Sequence, residues 1–245
     1  MPTTPVTDEA GPEPWAPVHT FKRRGRVRAG QLATLDGLGP RYGVDVDSGP
    51  LDPAALFGRV APLVVEIGFG RGEATRAMAE ADPDRDVLGI EVHRPGVAAL
   101  LREVAEAGLT NVRIVVGDAV PVLRDGFGPG VLDEVRVFFP DPWPKGRHHK
   151  RRLVGAAFVA LVASRLRPAG TLGPDDAGGR LHCATDWEPY AQQMLAVVDA
   201  EPLLHNGFGG FGGFAPRPAS RPRTRFEQQG LAKGHLVRDL VVHRR

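Results

Sequence analysis

A chain of 245 residues, 42% hydrophobic and 24% charged, is long enough to bury a sizeable core and has the composition of a globular enzyme rather than a fibrous or membrane protein. Its one cysteine, Cys183, excludes an intramolecular disulfide and a cysteine-ligated zinc site, and no apolar run approaches the roughly 20 residues that span a bilayer, so a cytoplasmic protein without membrane or metal is expected. Formal net charge is only +2, but the cations gather in three stretches, 22–28 (KRRGRVR), 145–152 and 217–225 (RPASRPRTR), a distribution that suits a phosphate-rich partner.

Residues 1–18 carry Pro, Thr, Glu and Ala without periodicity and read as a disordered extension; residues 19–245 read as one domain. From Leu63 onward short β-branched runs alternate with helical stretches. Strands are predicted at 63–68 (LVVEIG), 87–92 (VLGIEV), 112–117 (VRIVVG), 135–140 (VRVFFP), 181–186 (LHCATD) and near 235–243 (HLVRDLVVH). Helices are predicted over GEATRAMAEA, over RPGVAALLREVAEAG, where Val97, Leu100, Leu101 and Val104 share one face, over KRRLVGAAFVALVASRL, and over WEPYAQQMLAVVDA. Strand and helix alternate often enough to predict a doubly wound, mostly parallel α/β sheet with helices on both faces. Cys183 falls inside a strand pattern and reads as a small core residue. GPDDAGG (173–179) reads as an inserted polar turn, and NGFGGFGGFAPRPAS (206–220) as a lid or a disordered segment.

Ligands of such sheets bind beyond the carboxyl ends of the strands. Here four successive strand ends carry an acid: Glu66, in the run Glu66-Ile-Gly68-Phe-Gly70-Arg-Gly72, then Glu91, Asp118 and Asp141. Glycines at alternate positions let the backbone turn tightly and approach a ligand, but Glu66 disfavours a pyrophosphate and suits a ligand bearing a cation. Glu91 is placed to accept from ribose hydroxyls and Asp118 from an adenine amino group. S-adenosyl-L-methionine satisfies all three. For any one of these acids the alternative is a helix N-cap or a solvated loop carboxylate.

The runs "VVEIGFGRGE", "FPDPWPKGRHHKRRL", "LHCATDWEPYA" and "RPRTRFEQQGLAKGHLVRDL", in this order, resemble the bacterial tRNA (guanine-N7-)-methyltransferase family, and "FKRRGRVRAGQ" is similar to that family's N-terminal stretch. The resemblance spans about residues 21–245, and the P-D-P-W-P-K stretch is its most specific part. It implies a Rossmann-like class I methyltransferase with a seven-stranded sheet. The implied activity is methyl transfer from S-adenosyl-L-methionine to N7 of a guanine in tRNA, at position 46 of the variable loop, by a monomer or homodimer. Carried onto this chain, it implies cofactor contacts from Glu66, Gly68, Gly70, Glu91, Asp118 and Asp141, with Asp141 also catalytic. It further implies substrate contacts from Lys145, Asp186, Thr224, Arg225, Phe226 and Glu227, and RNA contacts from Arg147, His148, His149, Lys150, Arg151 and Arg152. Three departures stand out: Gly146 where the family often has a cation, Arg225 in place of a usual lysine, and the insertion at 173–180.

The chemistry suits these residue types. Guanine N7 carries a free lone pair at neutral pH, so alignment rather than deprotonation is the task. Positive charge moves into the purine, where a carboxylate at Asp141 stabilises it and accepts from the guanine N–H edge, with Asp186 and Glu227 as further acceptors. The prolines beside Asp141 make a stiff platform. Trp143 suits either base stacking or core anchoring. His148 and His149 read as phosphate neighbours, because adjacent histidines without a third partner make a poor metal site. The competing enzyme reading is an exocyclic-amine methyltransferase acting on DNA or rRNA, since D-P-W resembles the acid-proline-proline-aromatic motif of those enzymes.

Overall fold

A computed structural model describes residues 27–46, 49–209 and 212–245. The expected disordered extension and most of the basic stretch 22–28 lie outside the described residues. Seven strands, β1 (Leu63–Ile67), β2 (Asp86–Glu91), β3 (Val112–Val116), β4 (Glu134–Phe138), β5 (Arg180–Thr185), β6 (Leu204–His205) and β7 (Arg238–Arg244), form one sheet in the order β3-β2-β1-β4-β5-β7-β6. β7 pairs antiparallel with both of its neighbours, and every other pairing is parallel. The mostly parallel, doubly wound architecture is therefore as expected.

All five residues of β1 are buried, because both faces of the sheet are covered. Leu63, Val65 and Ile67 pack toward a core shared with α5 (Ala119–Gly126), α6 (Ala156–Arg165) and α7 (Glu188–Asp199). Val64 packs the other way, against α4 (Arg94–Glu106) and α1 (Ala29–Tyr42), through Val97, Leu100, Leu101, Val104 and Tyr42. Each fully buried Leu or Val here contributes about 1.5–3 kcal/mol. The shared face of Val97, Leu100, Leu101 and Val104 is thus the inward face of α4. Cys183 is wholly buried in β5, and burial pushes its thiol up to about 12, which leaves it unreactive.

Five elements escaped the sequence pattern: α5, the two-residue β6, and the helices α1, α2 (Pro53–Phe57) and α8 (Arg225–Leu231). α1 contains Gly30, Gly37, Gly39 and Pro40, so its intrinsic propensity is poor, and it is held by the packing of Leu35, Leu38 and Tyr42 on the α4 side. α2 is short but fully punctuated, with Asp52 accepting from Ala54 N at 3.0 Å and Gly58 closing it in the left-handed region. α8 lies in a stretch to which the sequence pattern assigned no element. The single helix expected over 150–166 is instead a 3₁₀ turn, Gly146–Arg151, then an extended link, then α6. The link is held open by contacts a helix would forbid: Val154 N donates to Tyr190 Oη at 2.9 Å, and Arg152 reaches Pro142 O and Gln193 Oε1 at 2.8 and 2.6 Å. The insertion is an ordered turn, in which Asp176 pairs with Arg167 and accepts from the amides of Leu172 and Gly178, each at 3.1 Å.

At the amino ends of the central strands, Glu134 is fully buried among three cations, accepting from Arg85, Arg136 and Arg180 at 2.8–3.1 Å. Burial alone pushes its carboxyl up, but the Arg136 charge and the hydrogen bonds from Arg136 and Arg180 prevail and hold it down at about 2. A depressed carboxyl favours the folded state above its unfolded value near 4.5, and that contribution is lost as pH falls toward about 2. Glu134→Gln is expected to cost about 3–5 kcal/mol at neutral pH, because it leaves the buried Arg136 cation without its counter-charge. In denaturant titrations between pH 2 and 5 the variant's midpoint should vary less than that of the parent; an identical slope would remove Glu134 as the cause.

Candidate active site

A cleft of about 710 Å³ opens at the carboxyl ends of β1, β2 and β4, where the strand order reverses. Glu66, Gly68, Gly70, Glu91, Asp118 and Asp141 all line it, so the four strand-end acids converge on one space. A second, shallower depression of about 750 Å³, beside His205, Phe208 and Arg245, lies at the opposite end of the sheet and gathers none of these acids.

Glu66 is 2% exposed, and its Oε2 has no hydrogen-bond partner among the described residues. Burial pushes its carboxyl above the ordinary glutamate range, an effect that the Arg136 charge counters. Such an oxygen calls for a cation or a donor from a ligand. Gly68 and Gly70 sit at φ 72° and 61°, with open space where a Cβ would stand, so the loop presents bare backbone to the cleft. Glu91 differs from expectation. Its Oε2 accepts from Gly70 N at 2.8 Å and its Oε1 from Val92 N and His93 N at 2.7 and 2.9 Å, so it braces the glycine loop as well as facing the cleft. Asp118 does cap α5, through Oδ1 to Val120 N at 2.9 Å, and the cap and ligand readings coexist because Asp118 still lines the cleft. An orphaned buried carboxylate suits a cationic group, the bare backbone suits close approach, and the further acceptors suit a nucleoside.

β4 ends at Phe138, and the chain then turns through Phe139 at φ 52° and Trp143 at φ 43°. These are the non-glycine residues with positive φ among the described residues, and each costs roughly 1–3 kcal/mol. Between them stand Pro140, Asp141 and Pro142. Asp141 is exposed to the cleft and makes no hydrogen bond or ion pair among the described residues. Trp143 is half-buried, with the Arg151 guanidinium 4.9 Å from its ring centroid and His148 edge-on at 5.7 Å. His148 is thus a neighbour of Trp143, and its partial desolvation, aided by the adjacent cations Arg151, Arg147 and Lys145, keeps its imidazole below the usual range.

Thr224, Arg225 and Phe226 also line the cleft, from the start of α8. Thr224 caps that helix, accepting from Glu227 N at 3.2 Å. Glu73, in the first turn of α3 (Glu73–Ala81), accepts from Arg225 N at 2.9 Å and so ties α8 to the glycine loop. The Phe226 ring meets Phe139 edge-on at 5.2 Å. Lys145 is exposed at the N-cap of the 3₁₀ turn, and Asp186 follows β5 on the same edge of the sheet, its Oδ2 2.8 Å from His235 Nδ1.

Two expected ligand contacts face inward. Glu227 is 2% exposed, with both carboxylate oxygens taken by Arg221, so its expected contact with a guanine edge is corrected to an internal ion pair. Arg152, expected on phosphate, is buried against the Tyr190 ring at 4.8 Å and bonded to Pro142 O and Gln193, which corrects it to an anchor of the loop carrying Asp141. Arg147, His149 and Lys150 are exposed on the 3₁₀ turn, and Arg151 of the same turn lines the cleft. Sequence reading overlooked Glu73, Gly96 and the inward course of Arg221. Gly96, in the H-R-P-G run, was findable as a glycine at a helix start. Nothing local signals the other two.

The family described as "Putative methyltransferase" matches residues 60–240. A tRNA (guanine-N(7)-)-methyltransferase of Streptomyces avermitilis is 50% identical over 245 residues, covering 100% of this chain and 81% of that one. Its counterpart in Streptomyces coelicolor is 50% identical, covering 100% and 87%. Among solved structures, the 16S rRNA methyltransferase KamB shares the fold, with TM-score 0.52 at 13% identity, covering 80% of this chain and 95% of that one.

Proposed function

This chain belongs to the tRNA (guanine-N(7)-)-methyltransferase family, and from that membership we propose that it transfers a methyl group from S-adenosyl-L-methionine to N7 of a guanine in the variable loop of tRNA, in the cytoplasm. The observation that carries this reading is the convergence of Glu66, Asp118 and Asp141 on one cleft that Arg151, from a basic 3₁₀ turn, also lines. When bound, the cofactor supplies a methyl group already activated by a positively charged sulfur. Glu66 receives the ammonium end, because its orphaned buried oxygen gains there the partner it lacks. The glycine loop, braced by Glu91, approaches without side-chain interference. Asp118 offers its remaining acceptor capacity to the base of the nucleoside.

Asp141 stands on a stiff turn between two prolines and meets the positive charge that develops in the purine. No general base is needed, since the N7 lone pair is free. Lys145 and Asp186, on the same edge of the sheet, hold the target nucleotide, while Arg147 and Lys150 engage the phosphates. Incubation with labelled cofactor and unmodified tRNA, followed by nucleoside mass analysis, is expected to give 7-methylguanosine; methylated adenine or cytosine amino groups in its place would overturn the reading.

Phosphate contacts release counterions, so affinity falls with salt. Arg147→Ala with Lys150→Ala should reduce the slope of log KM for tRNA against log salt by about 2. An unchanged slope would take the 3₁₀ turn off the RNA.

A further inference from the structure

Arg221 belongs by sequence to the basic stretch 217–225, yet it is 1% exposed and one of the largest fully buried side chains. Its Nε and Nη2 donate to Asp239 Oδ1 and Oδ2 at 2.7 and 2.9 Å. Its Nη1 and Nη2 donate to Glu227 Oε2 and Oε1 at 2.7 and 3.0 Å. Four of the five guanidinium N–H groups are thereby committed in two forks, one to α8 and one to β7. The cation also lies 5.8 and 5.7 Å from the ring centroids of Phe138 and Phe139, the last residue of β4 and the left-handed turn that leads to Asp141. Asp239 in turn lies 2.8 Å from His182 Nε2 on β5.

One side chain therefore joins two parts of the cleft wall, the start of α8 and the end of β4, to β7, which does not line the cleft. A buried cluster of this kind is a weak source of net stability, since apolar residues of equal volume often serve as well. What such a cluster supplies is a defined arrangement: planar forks accept their partners in one geometry, and a lysine cannot reproduce it. The Phe139 turn is itself strained and persists only where its surroundings over-determine it.

We propose that Arg221 is a positioning residue for methyl transfer, locking α8, β7 and the end of β4 together and so fixing where Asp141, Thr224 and Phe226 face the cleft. The inference rests on the proposed function. Arg221 does not touch the ligands. It acts through Glu227 on the helix start that lines the cleft, and through Phe139 on the turn that presents Asp141.

The test uses the full chain with unmodified tRNA and labelled S-adenosyl-L-methionine, comparing the parent with Arg221→Lys, Glu227→Gln and the double variant, with rates normalised to folded protein from thermal melts. Displacement of aligned groups by about 1 Å costs on the order of 10²-fold, so kcat should fall by that factor in Arg221→Lys while KM for the cofactor stays within about threefold. The double variant should fall no further than the worse single, because both changes break one lock. If Arg221→Lys does not fold, Glu227→Gln, which keeps an acceptor for the guanidinium, carries the same kcat expectation. A lowered Tm with kcat per folded molecule unchanged would reduce the cluster to a structural role and overturn the proposal, as would losses that multiply in the double variant. Failure of the parent itself to make 7-methylguanosine would instead count against the proposed function.

Discussion

Asp141→Ala is expected to lower kcat for methyl transfer by about 10²–10³-fold, the effect of deleting one preorganised charge at a developing transition-state charge. Stability should change by less than about 0.5 kcal/mol, because Asp141 is exposed and bonded to nothing among the described residues. The pairing of a large kinetic effect with a small thermal one is what separates a reacting group from a structural one. Asp141→Asn sharpens the point: the amide keeps an acceptor for the guanine N–H edge but loses the charge. If charge stabilisation dominates, Asn should resemble Ala; if orientation of the base dominates, Asn should recover much of the rate. An Asp141→Ala protein as fast as the parent would remove the acid from the reaction altogether.

Gly96→Ala is expected to have the second large effect, although Gly96 lies outside every glycine motif read from the sequence. A Cβ there would stand 2.0 Å from Gly70 O and 2.9 Å from Gly70 C, so backbone would meet methyl with no flexible side chain to yield. Either α4 retreats or the glycine loop shifts. The loop cannot move freely, since Glu91 holds Gly70 N at 2.8 Å. Overpacking of this kind costs about 1–3 kcal/mol in stability. Because the strained partner is the cofactor loop, the dissociation constant for S-adenosyl-L-methionine should also weaken by about tenfold or more, as a loss of 1.4 kcal/mol in contact geometry would give. Gly146→Ala serves as the control: nothing lies within 4 Å of its Cβ position, so its unfolding midpoint should match the parent. Calorimetric titration of cofactor into both variants checks the contrast, and equal affinities would contradict it.

The central strands and α4 were legible because they depend on nearest neighbours in the chain. β1, β2, β3, β4 and β5 begin and end within about two residues of the hydrophobic runs, since covered parallel strands must be apolar on both faces. The site acids were legible for a related reason: a strand that ends at the ligand edge puts its next polar residue there. α1 and α8 were not legible, because Gly-rich or polar segments become helical only once α4 or the cleft wall gives them a surface. Charge misled in the same way. Arg152, Arg221 and Glu227 looked like surface groups until the fold supplied each with buried partners.

The linear chain alone thus decided the layered α/β plan, the glycine turn and the row of acids at successive strand ends, since each follows from local periodicity and from where a strand must stop. Only the tertiary structure decided that Glu91 braces the glycine loop, that Gly96 must lack a side chain, and that Arg221 joins α8, β7 and the Asp141 turn. Those are contacts between segments far apart in the chain. Their strength comes from desolvation and fixed geometry, neither of which exists before the segments meet.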